Sequence, residues 1–363
     1  MKRNIIPLFK VFMSPNLKDV INDVLYSGYI GEGEQVILFE EALSKFLKNP
    51  NIVTVNSGTS ALHLAYHMAL HSDSRRPHKI DSEAEIISTP ITCTATNTPI
   101  ISHGAKIVWA DVDPVTGNID PADIEKKITK KTKAISVVHW GGNPCKIDEV
   151  SIIGKQYNIK VIEDAAHSLG AMHNKEPVGT ISDYTCFSFQ AIKHLTTIDG
   201  GCLAVKNEED SERAKLLRWY GIDRNNKNQA DLRCEIDIEE TGYKFHMNNV
   251  SAAVGIQNIR HLEWILDKHR QNAYFYDEAF SGVDRITIPE ITTNCLSSYW
   301  LYTIHVNNQI EFIDKMKDSG IVTSKVHSRN DLHSCFRNSL VDLPNAEKFN
   351  NSHVCIPVGW WIE

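Results

Sequence analysis

The run Tyr184-Thr-Cys-Phe-Ser-Phe-Gln-Ala-Ile-Lys-His-Leu-Thr-Thr-Ile-Asp-Gly-Gly-Cys-Leu-Ala-Val205 decides how this chain folds. Its first part, Tyr184 to Phe189, is apolar and predicts a buried strand. A short turn follows and carries Lys193. Gly200-Gly201 then opens a second apolar run. Together these pieces predict a hairpin that holds one amine at a fixed point. An amine held in this way can form a Schiff base with a carbonyl. The plainer alternative is a solvated lysine on a surface turn, where most lysines lie.

Working upstream, Ile159-Lys-Val-Ile-Glu-Asp-Ala-Ala-His-Ser-Leu-Gly-Ala171 predicts a strand with Val161 and Ile162 buried. Glu163 and Asp164 then fall at its C-terminal end, where open α/β sheets bind ligands. Asp164 there either serves a ligand or caps the next helix. Further strands are expected at Glu85–Thr89, Lys106–Val112 and Lys133–His139, with helices at Asp120–Ile128 and Asp148–Tyr157. Ile52–Asn56 reads as a strand that passes through Ser57-Gly58-Thr59-Ser60 into a helix at Ala61–Leu70. Ala61, Leu62, Ala65, Met68 and Ala69 make the apolar stripe of that helix. The first N–H groups of a helix lack intrahelical acceptors and its dipole is positive there, which suits a phosphate. The same small hydroxyl residues can also simply cap the helix, and both roles are compatible.

Two more helices, Asn16–Ser27 and Glu34–Leu47, flank a flexible loop, Ser27-Gly-Tyr-Ile-Gly-Glu-Gly33. Strand and helix alternating in this way predict an α/β fold. Its sheet is mainly parallel, with helices on both faces and right-handed crossovers. No G-x-G-x-x-G turn follows a strand, which argues against a dinucleotide site. Downstream, residues 71–84 and Asn225–Asp237 are polar and read as surface loops. A domain boundary is placed near Gly242, giving a large domain over 1–241 and a small α+β domain over 242–363. The small domain is expected to contain a long helix bearing Leu262, Ile265, Leu266 and Tyr274. A strand at Trp300–Val306, a helix at Ile310–Ser319 and an extended run at Val322–His327 should follow. His327, Arg329 and His333 bracket a polar loop that either touches a substrate or is merely exposed.

Composition narrows the function classes. The chain has 363 residues and a formal net charge of −7, with no basic stripe of the kind nucleic-acid binders carry. No apolar run approaches the roughly 20 residues of a membrane span. Met1-Lys-Arg-Asn-Ile-Ile-Pro is basic but lacks the apolar segment of a secretory signal. Eight scattered cysteines, at 93, 145, 186, 202, 234, 295, 335 and 355, form no C-x-x-C pair and read as free thiols of a reducing cytoplasm. The 16 histidines include no H-E-x-x-H, so no metal site is expected.

The segment Ser188-Phe-Gln-Ala-Ile-Lys193, with Thr196-Thr197 and Gly200-Gly201, resembles the lysine motif of the DegT/DnrJ/EryC1/StrS family. These are sugar aminotransferases of the aspartate aminotransferase fold (fold type I) that use pyridoxal 5′-phosphate (PLP). Other motifs occur in family order from about residue 7 to residue 361. Asn56-Ser-Gly-Thr-Ser-Ala-Leu-His-Leu-Ala65 resembles S-G-T-x-A-L-x-L-A, which places the cofactor phosphate on Gly58, Thr59 and Ser60, with Ser188 as a further ligand. Glu163 to Ala171 resembles E-D-x-A-H/Q-x-x-G-A; Asp164 would face the pyridine nitrogen, and His167 would pack near the 3′-oxygen. Thr92-Cys-Thr-Ala-Thr96 resembles T-F/W-x-A-T, but Cys93 replaces the aromatic that stacks on the cofactor ring. A cysteine covers a ring face with less area. Val138-His-Trp-Gly-Gly-Asn-Pro144 resembles the V-H-x-x-G-x-P turn, and Leu216-Leu-Arg-Trp-Tyr-Gly-Ile-Asp-Arg224 resembles L-R-x-x-G-x-x-R. Gly242 to Gly255 resembles G-Y-N/K-x-x-M-x-N/D-x-x-A-A-x-G, in which many members place asparagine where Lys244 stands, reaching the phosphate of the partner's cofactor. Tyr29 and Gly31 match a loop that lies near the sugar.

The resemblance implies a cytoplasmic homodimer that moves an amino group from an amino acid, glutamate in this family, to a keto sugar, nucleotide-linked. It also implies one further helix after Trp361. Lys193 would hold the cofactor and carry protons, and Asp164 would support its electron-poor ring. A sugar-dehydratase branch of the family has histidine in place of this lysine, so Lys193 points to transamination. A non-catalytic scaffold or regulator is the third reading, and it draws on Cys93 and Lys244.

Overall fold

The computed structural model describes residues 5–71, 83–223, 237–339 and 341–362. The polar loops read at 71–84 and Asn225–Asp237 lie almost wholly outside these residues.

Helices α1 (Leu17–Tyr26) and α2 (Glu34–Leu47) open the fold. The central domain continues through β1 (Ile52–Val55), α3 (Gly58–Leu70), β2 (Glu85–Ser88), α4 (Thr94–Ser102), β3 (Lys106–Trp109), α5 (Pro121–Lys127), β4 (Thr132–Val138), α6 (Ile147–Tyr157) and β5 (Lys160–Asp164). Two short strands follow, β6 (Met172–His173) and β7 (Glu176–Pro177), then the hairpin β8 (Tyr184–Ser188) and β9 (Gly201–Val205), and α7 (Glu208–Leu217). A seven-stranded sheet runs in the order β1-β9-β8-β5-β4-β2-β3. Only β9 opposes its neighbours; the pairings among β8, β5, β4, β2 and β3 are all parallel.

Side chains on a strand alternate between faces, and the cores follow that alternation. Ile86, Ala134, Ile162, Cys186 and Leu203 pack with α3 residues such as Leu64 and Met68. Ile87, Ile135, Val137 and Val161 pack with Ile124 of α5 and Val150 of α6. Phe187 and Cys202 meet Val36, Phe39 and Leu43 of α2. The expected mainly parallel sheet with helices on both faces is therefore present. The same alternation separates two adjacent carboxylates at the end of β5. Asp164 shares the α3 side with Ile162, and Glu163 turns to the other side with Val161.

Helix α4 is among those that the sequence reading did not place. Residues Thr94–Ser102 form α4, although the run is threonine-rich and holds Pro99. Its helix propensity is poor, and burial of Thr96, Asn97, Pro99 and Ile100 overrides it.

The C-terminal part adds α8 (Asn249–Ile259), α9 (Leu262–Phe280), β10 (Ile286–Thr287), β11 (Cys295–Leu296), β12 (Tyr302–Val306), α10 (Gln309–Asp318), α11 (Pro344–Ser352) and β13 (His353–Ile356). Strands β10-β12-β13 form a small antiparallel sheet, and β11 joins β6 and β7 in another. The strand expected from Trp300 begins at Tyr302, and Val322–His327 contributes only an isolated bridge, Ser324 to Cys355. Helix α9 crosses between cores. Leu262 and Leu266 pack under the large sheet, while Ala273 packs with Tyr302, Ile304 and Val354 of the small one.

Arg218, just past α7, locks this helix to α2 and β1. Its guanidinium meets Glu32 at 2.7 Å and Glu40 at 2.6 Å and donates to the Thr54 carbonyl at 2.9 Å. Arg218→Ala would leave those carboxylates without their buried cation. An expected loss of about 3–5 kcal/mol should appear in urea unfolding.

Candidate active site

The C-terminal ends of β1, β4, β5 and β8 meet at one edge of the sheet, and the candidate residues gather there. The hairpin places Lys193 in the turn between β8 and β9. Backbone bonds Phe189 N to Gly200 O (2.8 Å) and Thr197 N to Phe189 O (2.9 Å) close this turn. Lys193 is half-buried. Its amine is nevertheless enclosed enough that desolvation lowers its pKa to about 8, against the opposing pull of Asp164 and Cys93. No carboxylate among the described residues forms a salt bridge with it; the amine lies 3.6 Å from the centroid of the Trp300 ring.

Asp164 is 5% exposed. Its Oδ2 accepts from Thr96 Oγ1 at 2.6 Å, and its Oδ1 accepts from Ala166 N at 3.1 Å. Burial pushes its pKa up, while these two donors, Lys193 and His139 pull it back. Behind it, Glu163 has a separate structural task. Cys145 N donates to His139 Nδ1 at 3.0 Å, so the ring hydrogen sits on Nε2 and is given to Glu163 Oε2 at 2.8 Å. Thr185 Oγ1 donates to the other oxygen at 2.9 Å.

Gly58 opens α3 beside the end of β8. Ser57 is the cap: its Oγ accepts from Ser60 N at 3.0 Å. The N–H groups of Gly58 and Thr59 therefore lack acceptors within the helix. Ser60 turns inward, with Oγ donating to Asn56 Oδ1 at 2.6 Å. The cradle leaves no room for added atoms on its protein side. A Cβ on Gly58 would stand 2.8 Å from Ser188 Cβ, and one on Gly201 would stand 2.6 Å from Gly58 N.

His167 is 4% exposed, and its Nδ1 has no hydrogen-bond partner. Its ring stacks on Trp300, with centroids 3.8 Å apart and 19° between planes. His327 lies parallel to it at 5.8 Å, with an unpartnered Nε2. Burial and the nearby Lys193 charge push the pKa of His167 well down and that of His327 to about 4. Lys193, Asp164, Cys93, His167 and His327 thus share one space, with Gly58, Thr59 and Ser188 at its edge.

Other candidates lie elsewhere. Arg329 is 7% exposed and turned inward, with Nε and Nη2 given to Asp331 at 3.1 and 2.7 Å. Its guanidinium is thus paired within its own loop through Nε and Nη2. His333 is exposed. Tyr29 and Gly31 line a groove with Trp219, Lys244 and His246. There the Lys244 amine lies 3.5 Å from the Trp219 ring centroid. The groove adjoins the cradle through Asn56, whose Nδ2 donates to the Lys244 carbonyl at 3.3 Å.

Several residues were not legible beforehand. Asn330 joins the two domains at the site: Nδ2 donates to Thr92 O at 2.7 Å, and Oδ1 accepts from Asn97 Nδ2 at 2.9 Å. Trp300 is the other, and no motif marked it. Thr96 falls within the T-F/W-x-A-T match, so a hydroxyl three residues past Cys93 was the available signal. Among the described residues, no His, Cys, Asp or Glu group is arranged to hold a metal, and no helix is long and apolar enough to cross a membrane.

The model of the DegT/DnrJ/EryC1/StrS aminotransferase family matches residues 13–361. The chain belongs to this family. It is 33% identical to a Campylobacter jejuni UDP-4-amino-4,6-dideoxy-N-acetyl-beta-L-altrosamine transaminase, over 93% of this chain and 88% of that one. The sugar aminotransferase CalS13 of Micromonospora echinospora superposes with a TM-score of 0.93 at 36% identity, covering 99% and 96% of the two chains. Helicobacter pylori PseC, an aminotransferase of pseudoaminic acid biosynthesis, superposes with a TM-score of 0.88 at 26% identity, covering 99% and 95%. The family fold therefore extends over essentially the whole chain.

Proposed function

We propose that this chain is a PLP-dependent aminotransferase that moves an amino group from an amino acid, with glutamate as donor, to a nucleotide-linked keto sugar for amino-sugar or surface-polysaccharide synthesis. The observation that carries this reading is the convergence of Lys193 and Asp164 beside the Gly58–Ser188 cradle.

The residues fit the cofactor group by group. An aldehyde needs an amine, and Lys193 offers one without a competing carboxylate. A pyridine nitrogen needs a fixed negative charge, and Asp164 is held by Thr96 and Ala166. A phosphate needs free N–H groups, and Gly58 and Thr59 have them. A phenolic oxygen needs a polar neighbour, and the orphaned Nδ1 of His167 is available. When bound, PLP supplies a carbonyl for amine exchange and an electron-poor ring that takes up charge.

The chain's own atoms do the rest. Asp164 would hold a proton on the ring nitrogen of a bound cofactor. Lys193 Nζ would hold the cofactor through its carbonyl group and, once free of it, would take up and return a proton. Its lowered pKa of about 8 keeps a useful fraction neutral near physiological pH. Cys93 lies beside the amine and would offer the ring a small polarisable surface. His327 and the groove of Tyr29, Gly31 and Lys244 are the proposed sugar-facing elements. The seven described cysteines are free, which fits a reducing cytoplasm. Tyr26 and Tyr29 are 87% and 82% exposed, which fits a homodimer that covers them.

Added PLP should turn the purified protein yellow, and glutamate should then bleach it to the pyridoxamine form. A protein that cannot be loaded with PLP removes the reading. Gly201→Ala is expected to weaken PLP binding about tenfold or more, because the new methyl pushes the Gly58 amide away from the phosphate. Equilibrium titration of cofactor-free protein with PLP checks this.

A further inference from the structure

Lys193 must be released from the cofactor and bonded to it again in every cycle. While free, its amine needs a place to rest close by. A carboxylate in direct contact would hold the ammonium tightly and keep its proton. The structure provides an aromatic face instead. The amine lies 3.6 Å from the Trp300 ring centroid, with no carboxylate among the described residues in salt-bridge contact.

Trp300 is fixed from several directions. Its Nε1 donates to the carbonyl of Ile192, the residue before the lysine, at 2.9 Å. Stacking on His167 (3.8 Å, 19°) and on Phe9 (4.8 Å, 22°) sets the ring plane. Its segment is docked on the sheet edge by Ser298 Oγ to His167 O at 2.8 Å and Leu301 N to Gly141 O at 3.2 Å. Gly142, with φ of 98°, makes that docking possible: a Cβ there would meet His167 O and Tyr299 N, each at 2.9 Å.

We propose that Trp300 is a positioning residue for Lys193: its indole face is the seat on which the free amine rests between bonds to the cofactor. The proposal rests on the reading of Lys193 as the cofactor-binding lysine. A cation–π seat is worth about 0.5–2 kcal/mol. That is enough to hold the amine in place and too little to trap it. The other titratable groups facing the amine are Asp164 at the end of β5, His167 just after it, Cys93 before α4, His194 in its own turn, and His327 from the C-terminal part.

The test uses cofactor-free protein and PLP as the probe. The rate of covalent uptake, followed by absorbance across pH, has a midpoint set by Lys193. Removing the seat removes a stabiliser of the ammonium. Trp300→Leu should therefore move the midpoint down by about 0.4–1.5 pH units, the cation–π range converted at about 1.36 kcal/mol per unit. Trp300→Phe, which keeps a weaker π face, should lie between Trp300→Leu and wild type. A role in packing alone would lower thermal stability and leave the midpoint in place. An unchanged or raised midpoint in Trp300→Leu overturns the seat, as does a Trp300→Phe midpoint equal to that of Trp300→Leu. If Trp300→Leu does not fold, the comparison of Trp300→Phe and Trp300→Tyr with wild type decides: midpoints below wild type support the seat, and equal midpoints overturn it. Lys193→Ala is the separate control. Covalent uptake that survives in Lys193→Ala would sink the reading of Lys193 itself, whatever Trp300 does.

Discussion

Lys193→Ala is expected to lower the rate of amino transfer by about 10³- to 10⁴-fold, with the fold and the phosphate cradle intact. Two functions are lost together: the covalent tether and the group that moves the proton. The side chain makes no hydrogen bond on which the fold depends; its neighbours are a ring face, the Asp164 carboxylate and the Cys93 thiol. Stability should therefore change little. Single-turnover absorbance with excess glutamate is the measurement to make, since it isolates the first half-reaction. Added methylamine should recover part of the rate by supplying a mobile base. A variant that bleaches at the wild-type rate would remove Lys193 from the mechanism.

Asp164→Asn is the second large effect, expected at about 10²- to 10³-fold. The substitution keeps the shape and removes the charge opposite the ring nitrogen. One contact has to adjust, because an amide NH₂ placed at Oδ2 would face the Thr96 hydroxyl. Thr96 can turn that hydroxyl toward Thr92, whose Oγ1 already lies 2.7 Å away, so the fold should survive. The charge of Asp164 also raises the pKa of Lys193. Removing it should move the uptake midpoint below about 8, the value in the intact site. Asp164→Asn therefore has two readouts that loss of packing would not produce together: slow turnover with retained PLP, and a downward shift in the lysine profile. A variant that loads PLP and keeps the wild-type rate would show that Asp164 is only a helix-end acceptor.

The reach of the sequence reading varied with the kind of feature. The hairpin, the phosphate-type helix start and the strand ending in Asp164 were legible because each depends on local pattern. Apolar runs predict strands, a small-residue start predicts a helix N-terminus, and period-two alternation sends Asp164 and Glu163 to opposite faces. Helix α4 was missed because its residues have poor helix propensity, with Pro99 inside, and only burial makes the segment helical. Trp300 was read as the first residue of a strand, yet the strand begins two residues later and the indole turns back onto the lysine turn. Arg329 was read as a charge on a polar loop, and the structure pairs two of its three nitrogens, Nε and Nη2, with Asp331 two residues on.

By itself the sequence determined the fold class, and it put Lys193 on a hairpin turn, Asp164 at a strand end and a small-residue helix start at Gly58. These follow from short-range rules in which neighbours along the chain decide the outcome. Only the tertiary structure decided what surrounds the amine. Phe9, His167, Lys193 and Trp300 come from four separate parts of the chain, and their meeting depends on the domain docking set by Gly142, Ser298 and Asn330. Side-chain direction and desolvation belong to that packed arrangement, and they turn an ordinary lysine into one whose pKa is about 8.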